Sequence, residues 1–412
     1  MKQTMIWVSI TLLITMVMAC DNDASSPSDG GKERENISLT RSGQELVRRN
    51  NDFAFNLLRA IGEDKDQILS PISVTYALGM LNNGATGDTR KQITDVLGFS
   101  DADAVNDFCK QMLWHAPNLD NQTKVMISNT VFMNKGYELT PTFISKANDF
   151  YNAQPETRDF NDGKTLGVIN QWASDHTDGM IKEVLTERTF NPFAVSYLLN
   201  AVYFKGEWTK KFSKDETQEE EFDHEGPEKH LLMVPMMHQE GRFLYYENYY
   251  SQILRLAYGN EAFCMTVLLP LEGKTVDDVL HSLSAASWRD INGHLSTKNL
   301  DIKIPRLETN SDFDLKTVLS KLGITDAFDE NKAEFPDFCN KPTFINQMRQ
   351  VARIKIDEEG TEAAAVTHIG IDTNAYPPQT KNFHANHPFL YVISEQSTGT
   401  IFFIGKYMGH VR

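Results

Sequence analysis

Histidine is the residue type in this chain best suited to bind a metal or to act as a general base. Four histidines crowd the C-terminal part, His368, His384, His387 and His410. They fall on different predicted elements, and His387 precedes a proline, so we interpret it as structural. The spacing therefore predicts no shared metal site.

Short catalytic motifs are missing from the sequence. No Gly-x-Ser-x-Gly elbow, His-Glu-x-x-His zinc helix or Gly-x-Gly-x-x-Gly phosphate turn occurs. Gly273-Lys274-Thr275 resembles the end of a phosphate loop, but Leu268 occupies the position of the first glycine, so we interpret it as a turn. We expect that the chain is not an enzyme and needs no cofactor.

Three cysteines lie beyond the N-terminal region. Cys264 lies in an apolar run that predicts a buried strand, and Cys109 fits a helix. A disulfide between Cys109 and Cys339 stays open as an alternative.

A segment that can be either a loop or a strand follows residue 360. Alternate residues from Thr361 onward form one parity of the segment. All of them are small or apolar: Thr361, Ala363, Ala365, Thr367, Ile369 and Ile371. The other parity is mostly polar or small, so the segment alternates as a half-buried strand does. Its composition indicates a loop, because Gly360 opens it with backbone freedom and Pro377-Pro378 closes it. The segment is typical of a conformational switch.

This segment resembles the reactive-loop hinge of the serpins, inhibitors that trap proteases. The hinge consists of Glu358, Glu359, Gly360, Thr361, Glu362, Ala363, Ala364, Ala365, Val366 and Thr367. Other stretches resemble serpin motifs in the expected order, namely NDFAFNL (51–57), SPIS (70–73), LGML (78–81), LNAVYFKGEW (199–208), VPMM (234–237), HPFL (387–390) and FIGK (403–406). The resemblance covers the chain from about residue 41 to its C-terminus.

The resemblance implies an α+β serpin fold with three β-sheets, about eight or nine helices and an exposed reactive-centre loop. It also implies a suicide substrate. A protease cleaves the loop, the freed half inserts into the main sheet, and the acylated protease is trapped. The alternatives are a non-inhibitory binding or envelope protein with the same fold, or an inhibitor of a cysteine protease.

The serpin spacing from Gly360 places the scissile bond between Asn374 and Ala375, with Thr373 and Tyr376 as alternatives in a shifted register. No arginine or lysine occurs from Thr361 to Thr380, which disfavours trypsin-like targets. We expect an elastase-like or subtilisin-like serine protease, and a cysteine protease that accepts asparagine is the second choice.

Five residues match internal serpin positions that control loop insertion. Ser70, Ser73 and Asn200 resemble the polar "shutter", whose hydrogen bonds hold the main sheet closed; helix capping is their alternative role. Trp208 resembles the tryptophan of the "breach", where the loop enters. Serpins usually have a histidine where this chain has Gln350, whose amide can still donate and accept hydrogen bonds.

The N-terminus has the pattern of a bacterial lipoprotein signal. Lys2 precedes an apolar run too short to span a bilayer, and the small residue Ala19 precedes Cys20, the expected lipidation site. We predict a signal peptide at 1–19, a polar tether at 20–40 and a serpin domain at 41–412. The chain would then be lipid-anchored on a bacterial cell envelope, periplasmic or surface-exposed and extracellular.

The overall composition restricts the partners. The 412 residues carry a formal net charge of −16, and no basic cluster provides a local exception, so nucleic acid is not an expected partner. We expect a monomer, because insertion needs a free loop and a free sheet edge.

Overall fold

The computed structural model describes residues 32–62, 64–223, 231–345, 347–361 and 380–409. The helices in these ranges are α1 (Arg41–Ile61), α2 (Pro71–Asn82), α3 (Gly87–Leu97), α4 (Ala102–His115), α5 (Pro141–Tyr151), α6 (Thr165–Asp175), α7 (Val276–Ser282), α8 (Ala285–His294) and α9 (Leu315–Leu322). The strands are β1 (Gln67–Leu69), β2 (Thr123–Asn134), β3 (Glu156–Arg158), β4 (Ser196–Glu207), β5 (Gln218–Asp223), β6 (Leu231–Glu247), β7 (Ser251–Tyr258), β8 (Phe263–Pro270), β9 (Ser296–Pro305), β10 (Leu307–Asp314), β11 (Arg349–Ile356), β12 (Gly360–Thr361), β13 (Lys381–His384), β14 (Phe389–Glu395) and β15 (Ile401–Tyr407).

The strands form three sheets. The largest has nine strands in the order β1-β15-β14-β8-β7-β6-β9-β13, with β5 paired to β6. A second sheet has the order β12-β4-β2-β3, and the third consists of β10 and β11. Three sheets and the nine helices found in the described ranges confirm the predicted α+β fold class. The reactive-loop segment 362–379 lies outside those ranges.

The central helix is α2, every residue of which is buried. Ser70 caps its N-terminus and Pro71 occupies its first turn, a position where the missing amide costs no hydrogen bond. The helix packs against both β4 and β15, and so joins two of the sheets in one core.

Helix α6 covers the opposite face of the β2-β4 sheet. Its Ile169 is buried in a cluster that includes Phe132 of β2 and Tyr197 of β4. Strand β4 is therefore covered on both faces, by α2 and by α6. None of the described helices combines the length and apolar character needed to cross a bilayer.

Residues 32–40, within the predicted tether, lie against the domain. Ile37 is buried, and its amide donates to Ser397 Oγ over 2.9 Å. An apolar side chain gains free energy by packing here, so the contacts of the domain begin before α1.

The three described cysteines are free and buried. Cys264 lies in β8 and Cys109 in α4, as predicted. The Cys109–Cys339 disulfide that the sequence left open is not formed in this structure.

Candidate functional site: the hinge and the slot beside it

A slot separates β4 from β11. Strand β4 pairs with β2 on one edge and, at its C-terminal end, with β12 on the other; among the described residues, β11 has β10 as its single partner strand. Between β4 and β11 lies a cavity of about 80 Å³, lined by Ser73 of α2, Asn200 of β4 and Gln350 of β11 among others. Within the described ranges, no strand pairs with the facing edges of β4 and β11 over most of their length.

The hinge begins at a tight turn after β11. Asp357 and Gly360 exchange backbone hydrogen bonds, and Gly360 then pairs with Glu207 of β4. Gly360 has φ +141°, and a Cβ at this position would lie 2.1 Å from the carbonyl oxygen of Gly206. Only glycine fits both the backbone conformation and the close approach. After the turn, Gly360 and Thr361 run antiparallel to the C-terminal end of β4.

Thr361 occupies the first strand position beyond the glycine and points into the core. Its side chain is 1% exposed, and its Oγ1 lies 2.9 Å from the hydroxyl of Tyr258 in a hydrogen bond. It pairs with Gly206, so no opposing side chain stands in its way. Gly360 and the two glutamates before it are buried as well, so the burial of alternate residues beyond Thr361 stays a prediction.

Trp208 fixes the place where the hinge meets β4. Its indole Nε1–H donates to the Asp357 carbonyl over 2.9 Å, and its backbone amide donates to the Glu359 carbonyl over 2.8 Å. The ring stacks on Tyr258 at 4.4 Å between centroids. The predicted breach residue therefore contacts the hinge directly.

Two adjacent carboxylates hold the hinge to two other segments, residues 211–217 and Arg306. Glu358 accepts from Arg306 Nε at 2.7 Å and from the Thr217 hydroxyl at 2.5 Å. Glu359 forms ion pairs with Lys214 at 2.9 Å and Lys211 at 3.2 Å.

Both carboxylates are buried, although each carries a charge. Burial alone would raise the pKa of Glu358, but the hydrogen bonds from Arg306 and Thr217 outweigh it, so this pKa is lowered. The pKa of Glu359 is also lowered, because Lys214 and Lys211 outweigh its burial. The hinge is therefore held by ionised glutamates.

Gln350 connects β11 to the start of α2. Its Nε2 donates to the Ser70 carbonyl over 2.8 Å, and its Oε1 accepts from the Ser70 amide over 3.2 Å. The amide of Ser73 in turn donates to Ser70 Oγ. The side chain at position 350 thus donates and accepts at once, as an amide can, and Ser70 is both a helix cap and a partner of β11.

Asn200 lies on the other wall of the cavity and does not contact the Ser70–Gln350 pair. Its Nδ2 donates to Asn129 Oδ1 of β2 over 2.6 Å. Its own Oδ1 is buried and has no hydrogen-bond partner among the described residues. Ser73, Asn200 and Gln350 therefore line one cavity, and Ser70 is joined to it through its hydrogen bonds to Gln350 and Ser73.

Several predicted site residues lie outside the described residues. They are Glu362, Ala363, Ala364, Ala365, Val366 and Thr367 of the hinge, Thr373, Asn374, Ala375 and Tyr376 at the predicted scissile bond, and the predicted lipidation site Cys20. Sequence reasoning missed Arg306, Lys211, Lys214 and Tyr258. Gly206 could have indicated that another segment meets β4 at this point, since a glycine inside an otherwise apolar strand often marks a close backbone approach.

Comparisons with known proteins agree with this geometry. The family model described as Serpin (serine protease inhibitor) matches residues 48–409. Serpin B6 of Macaca fascicularis is 30% identical over 372 residues, which cover 88% of this chain and 98% of that protein. An uncharacterised serpin-like protein of Thermococcus kodakarensis is 30% identical over 435 residues, covering 99% of each chain.

Solved structures give the same result. The native state of tengpin, a thermophilic serpin, superposes with a TM-score of 0.83 at 26% identity, covering 92% of this chain and 98% of that one. A thyroxine-binding globulin in complex with thyroxine superposes with a TM-score of 0.80 at 25% identity, covering 89% and 100%. The chain is a member of the serpin family, most of whose members inhibit proteases and are not enzymes.

Proposed function

We propose that this chain is a suicide inhibitor of a serine protease, which it traps by inserting its cleaved reactive loop between β4 and β11. The observation that carries the proposal is the slot. Two strand edges face each other across a cavity, and β12 already pairs with one of them at its end. A strand continuing from Thr361 would complete one sheet from β3 to β10.

The alternation of the loop fits this role. Thr361 faces the core, so Ala363, Ala365 and Thr367 would follow on the same face without placing a charge or a large side chain there. About ten new ladder hydrogen bonds at about 1 kcal/mol each would form. Burial of Ile369 and Ile371 would add about 1.5 to 3 kcal/mol each. The total, on the order of 10 kcal/mol, matches the whole stability of many domains and suffices to distort an attached protease.

The target protease would be of the elastase or subtilisin type. The loop offers Asn374-Ala375, or Thr373 and Tyr376 in a shifted register, and it has no basic residue for a trypsin pocket. A cysteine protease that accepts asparagine is the alternative target.

The proposal is tested by mixing the purified protein with elastase-, subtilisin-, chymotrypsin- and trypsin-like proteases. Denaturing gels and intact-mass analysis should reveal a covalent complex and a released C-terminal peptide, whose mass identifies the scissile bond. Loop-cleaved protein should also melt at a far higher temperature than the intact protein. Cleavage with neither a complex nor a gain in melting temperature would contradict the proposal.

A pair of matched variants tests the insertion step itself. Ala363→Glu places a charge on the parity of Thr361, where insertion would bury it, so this variant should be cleaved without trapping protease. Ala364→Glu makes the same change on the opposite parity and serves as the control. Equal trapping by both variants would exclude insertion in this register.

A non-inhibitory binding protein is the second candidate. The comparison that favours it is the thyroxine-binding globulin, a structure with the same fold that is described as a complex with thyroxine. In that case the cleaved loop would leave the melting temperature unchanged.

We also propose that the protein is a monomer anchored to a bacterial envelope through lipid on Cys20, after removal of residues 1–19. The support is the Lys2, apolar-run and Ala19-Cys20 pattern. Detergent phase partitioning of the mature protein should place it in the detergent phase, and Cys20→Ser should move it to the aqueous phase. Recovery of the unchanged protein in the aqueous phase would contradict the anchor.

A further inference from the structure

A group of histidine and carboxylate side chains lies on the large sheet, away from the hinge and the slot. Glu240 of β6 pairs with Asp301 of β9, and His238 of β6 pairs with Lys303 of β9. On the other side of β9, His384 of β13 pairs with Lys303. Because side chains alternate along a strand, all five point to the same face of the sheet.

Three of these residues could bind one ion together. One ligand atom from each of His238, Glu240 and Asp301 lies within 4.8 Å of the other two. A tetrahedral zinc site with bonds of about 2.0 to 2.1 Å has ligand atoms about 3.3 Å apart, so small side-chain rotations suffice. His238 Nε2 already lies 2.8 Å from Asp301 Oδ1. A cation would take the place of a proton on Nε2, and the neutral imidazole would then carry its proton on Nδ1.

Neighbouring residues hold the group in position. His384 Nε2 lies 3.2 Å from Asp301 Oδ2, so it orients the carboxylate through the oxygen that does not contact His238. Glu216 lies 3.8 Å from Nδ1, the other ring nitrogen of His238. Carboxylates beside the second ring nitrogen are common behind metal-binding histidines.

The local charge also suits a dication. Glu240 and Asp301 carry one negative charge each. The nearby cation, Lys303, is held by Glu220 at 2.6 Å. His238 and Asp301 are 29% and 23% exposed, which leaves an open path from solvent.

We propose that His238, Glu240 and Asp301 bind a divalent transition-metal cation of the zinc class, with His384 as a positioning residue for Asp301. One imidazole and two carboxylates leave a fourth position for water. The mixed nitrogen and oxygen ligands favour Zn²⁺ or Co²⁺ over Mg²⁺ and Ca²⁺, which prefer oxygen alone.

The test is a calorimetric titration with Zn²⁺ of protein purified without a histidine tag and treated with a chelator. The wild type should bind one more equivalent of Zn²⁺ than His238→Gln or Glu240→Gln does. If the stoichiometry is the same, the wild type should bind Zn²⁺ at least about tenfold more tightly than either variant. Zn²⁺ should raise the melting temperature of the wild type but not that of His238→Gln or Glu240→Gln, and a chelator should reverse the rise. The melting temperatures of the metal-free proteins show that the variants fold.

His294→Gln is the matched control. His294 lies 3.2 Å from Asp290 on α8, a surface pair of imidazole and carboxylate that belongs to no cluster of three ligands among the described residues. This variant should bind Zn²⁺ as the wild type does. If the wild type binds no Zn²⁺, or if His238→Gln and Glu240→Gln bind it with the stoichiometry and affinity of the wild type, the proposed site does not exist.

Discussion

Replacing Gln350 by leucine should weaken the attachment of β11 to α2. The variant keeps a similar side-chain volume but removes two hydrogen bonds, of 2.8 and 3.2 Å, to the backbone of Ser70. Gln350 is 7% exposed, and Ser70 is buried as well, so water would not easily replace the lost partners. The Ser70 carbonyl keeps the hydrogen bond from the Val74 amide, so its lost bond to Gln350 costs about 1 kcal/mol, whereas the orphaned Ser70 amide costs about 1 to 3 kcal/mol. We therefore expect a combined loss of about 2 to 4 kcal/mol in the free energy of unfolding.

The loss converts into a measurable change in melting temperature. At about 2.1 cal/mol/K per residue, a domain of roughly 370 residues has an unfolding entropy of about 0.8 kcal/mol/K. Calorimetry at one fixed scan rate should therefore show a melting temperature about 3 to 5 °C lower. Gln171→Leu is the matched control, because Gln171 is exposed and its side chain, within the described part of the chain, bonds just Asp175 of the same helix. A Gln350→Leu variant within about 0.5 kcal/mol of the wild type would refute the reasoning.

Gln350→His extends the same test to pH. A neutral imidazole can make one of the two bonds, so the variant should lie between the wild type and Gln350→Leu. Burial should hold the pKa of this imidazole below the value of about 6.5 expected in the unfolded chain. Its contribution to stability is then present above about pH 6.5 and is lost as the pH falls, whereas Gln350 has no such dependence.

Two further predictions concern the hinge. Gly360→Ala should displace β12 from β4, because the added Cβ meets the Gly206 carbonyl oxygen, and should lower the free energy of unfolding by about 1 to 3 kcal/mol. Gly136→Ala is the control, because Gly136 has φ +94° but open space around it, so this variant shows the effect of backbone strain without a collision. Equal losses of unfolding free energy in urea titrations of the two variants would rule the collision out. Since the pKa of Glu358 is lowered from 4.5, the stability it contributes is present above about pH 4.5 and is lost as the pH falls. Glu358→Gln should therefore flatten the acid dependence of the unfolding free energy between about pH 5 and 3, and a slope equal to that of the wild type would show that the Arg306 contact does not stabilise the hinge.

The placement of Thr361 and Trp208 at the hinge was predictable from the sequence. Strand alternation has a period of two, so one correctly placed residue assigns the face of those that follow. Thr361 is buried on the predicted face, and Trp208 contacts the hinge. Gln350 and Ser70 were both assigned to the shutter, and they bond each other.

The partners of Asn200 and of the hinge glutamates were not predictable. Asn200 bonds Asn129 because β2 and β4 pair in that register, and no local signal fixes the register of strands so far apart in the chain. Arg306, Lys211 and Lys214 have the sequence appearance of ordinary surface cations. Only the fold brings them to Glu358 and Glu359.

The pairing of Gly360 with Glu207 and of Thr361 with Gly206 fixes the register in which an inserted loop would continue along β4. Counted on in the same register, Thr367 falls opposite Asn200, whose buried Oδ1 lacks a partner among the described residues, and Ile371 falls opposite Ser196, where β4 begins. Between Ile371 and the predicted cut at Asn374, only a few residues would then connect the inserted strand to an attached protease. If the loop inserts as proposed, removing one loop residue would shorten this connection and move each side chain after the deletion to the opposite face, so the length of β4 would set the loop length that insertion can use.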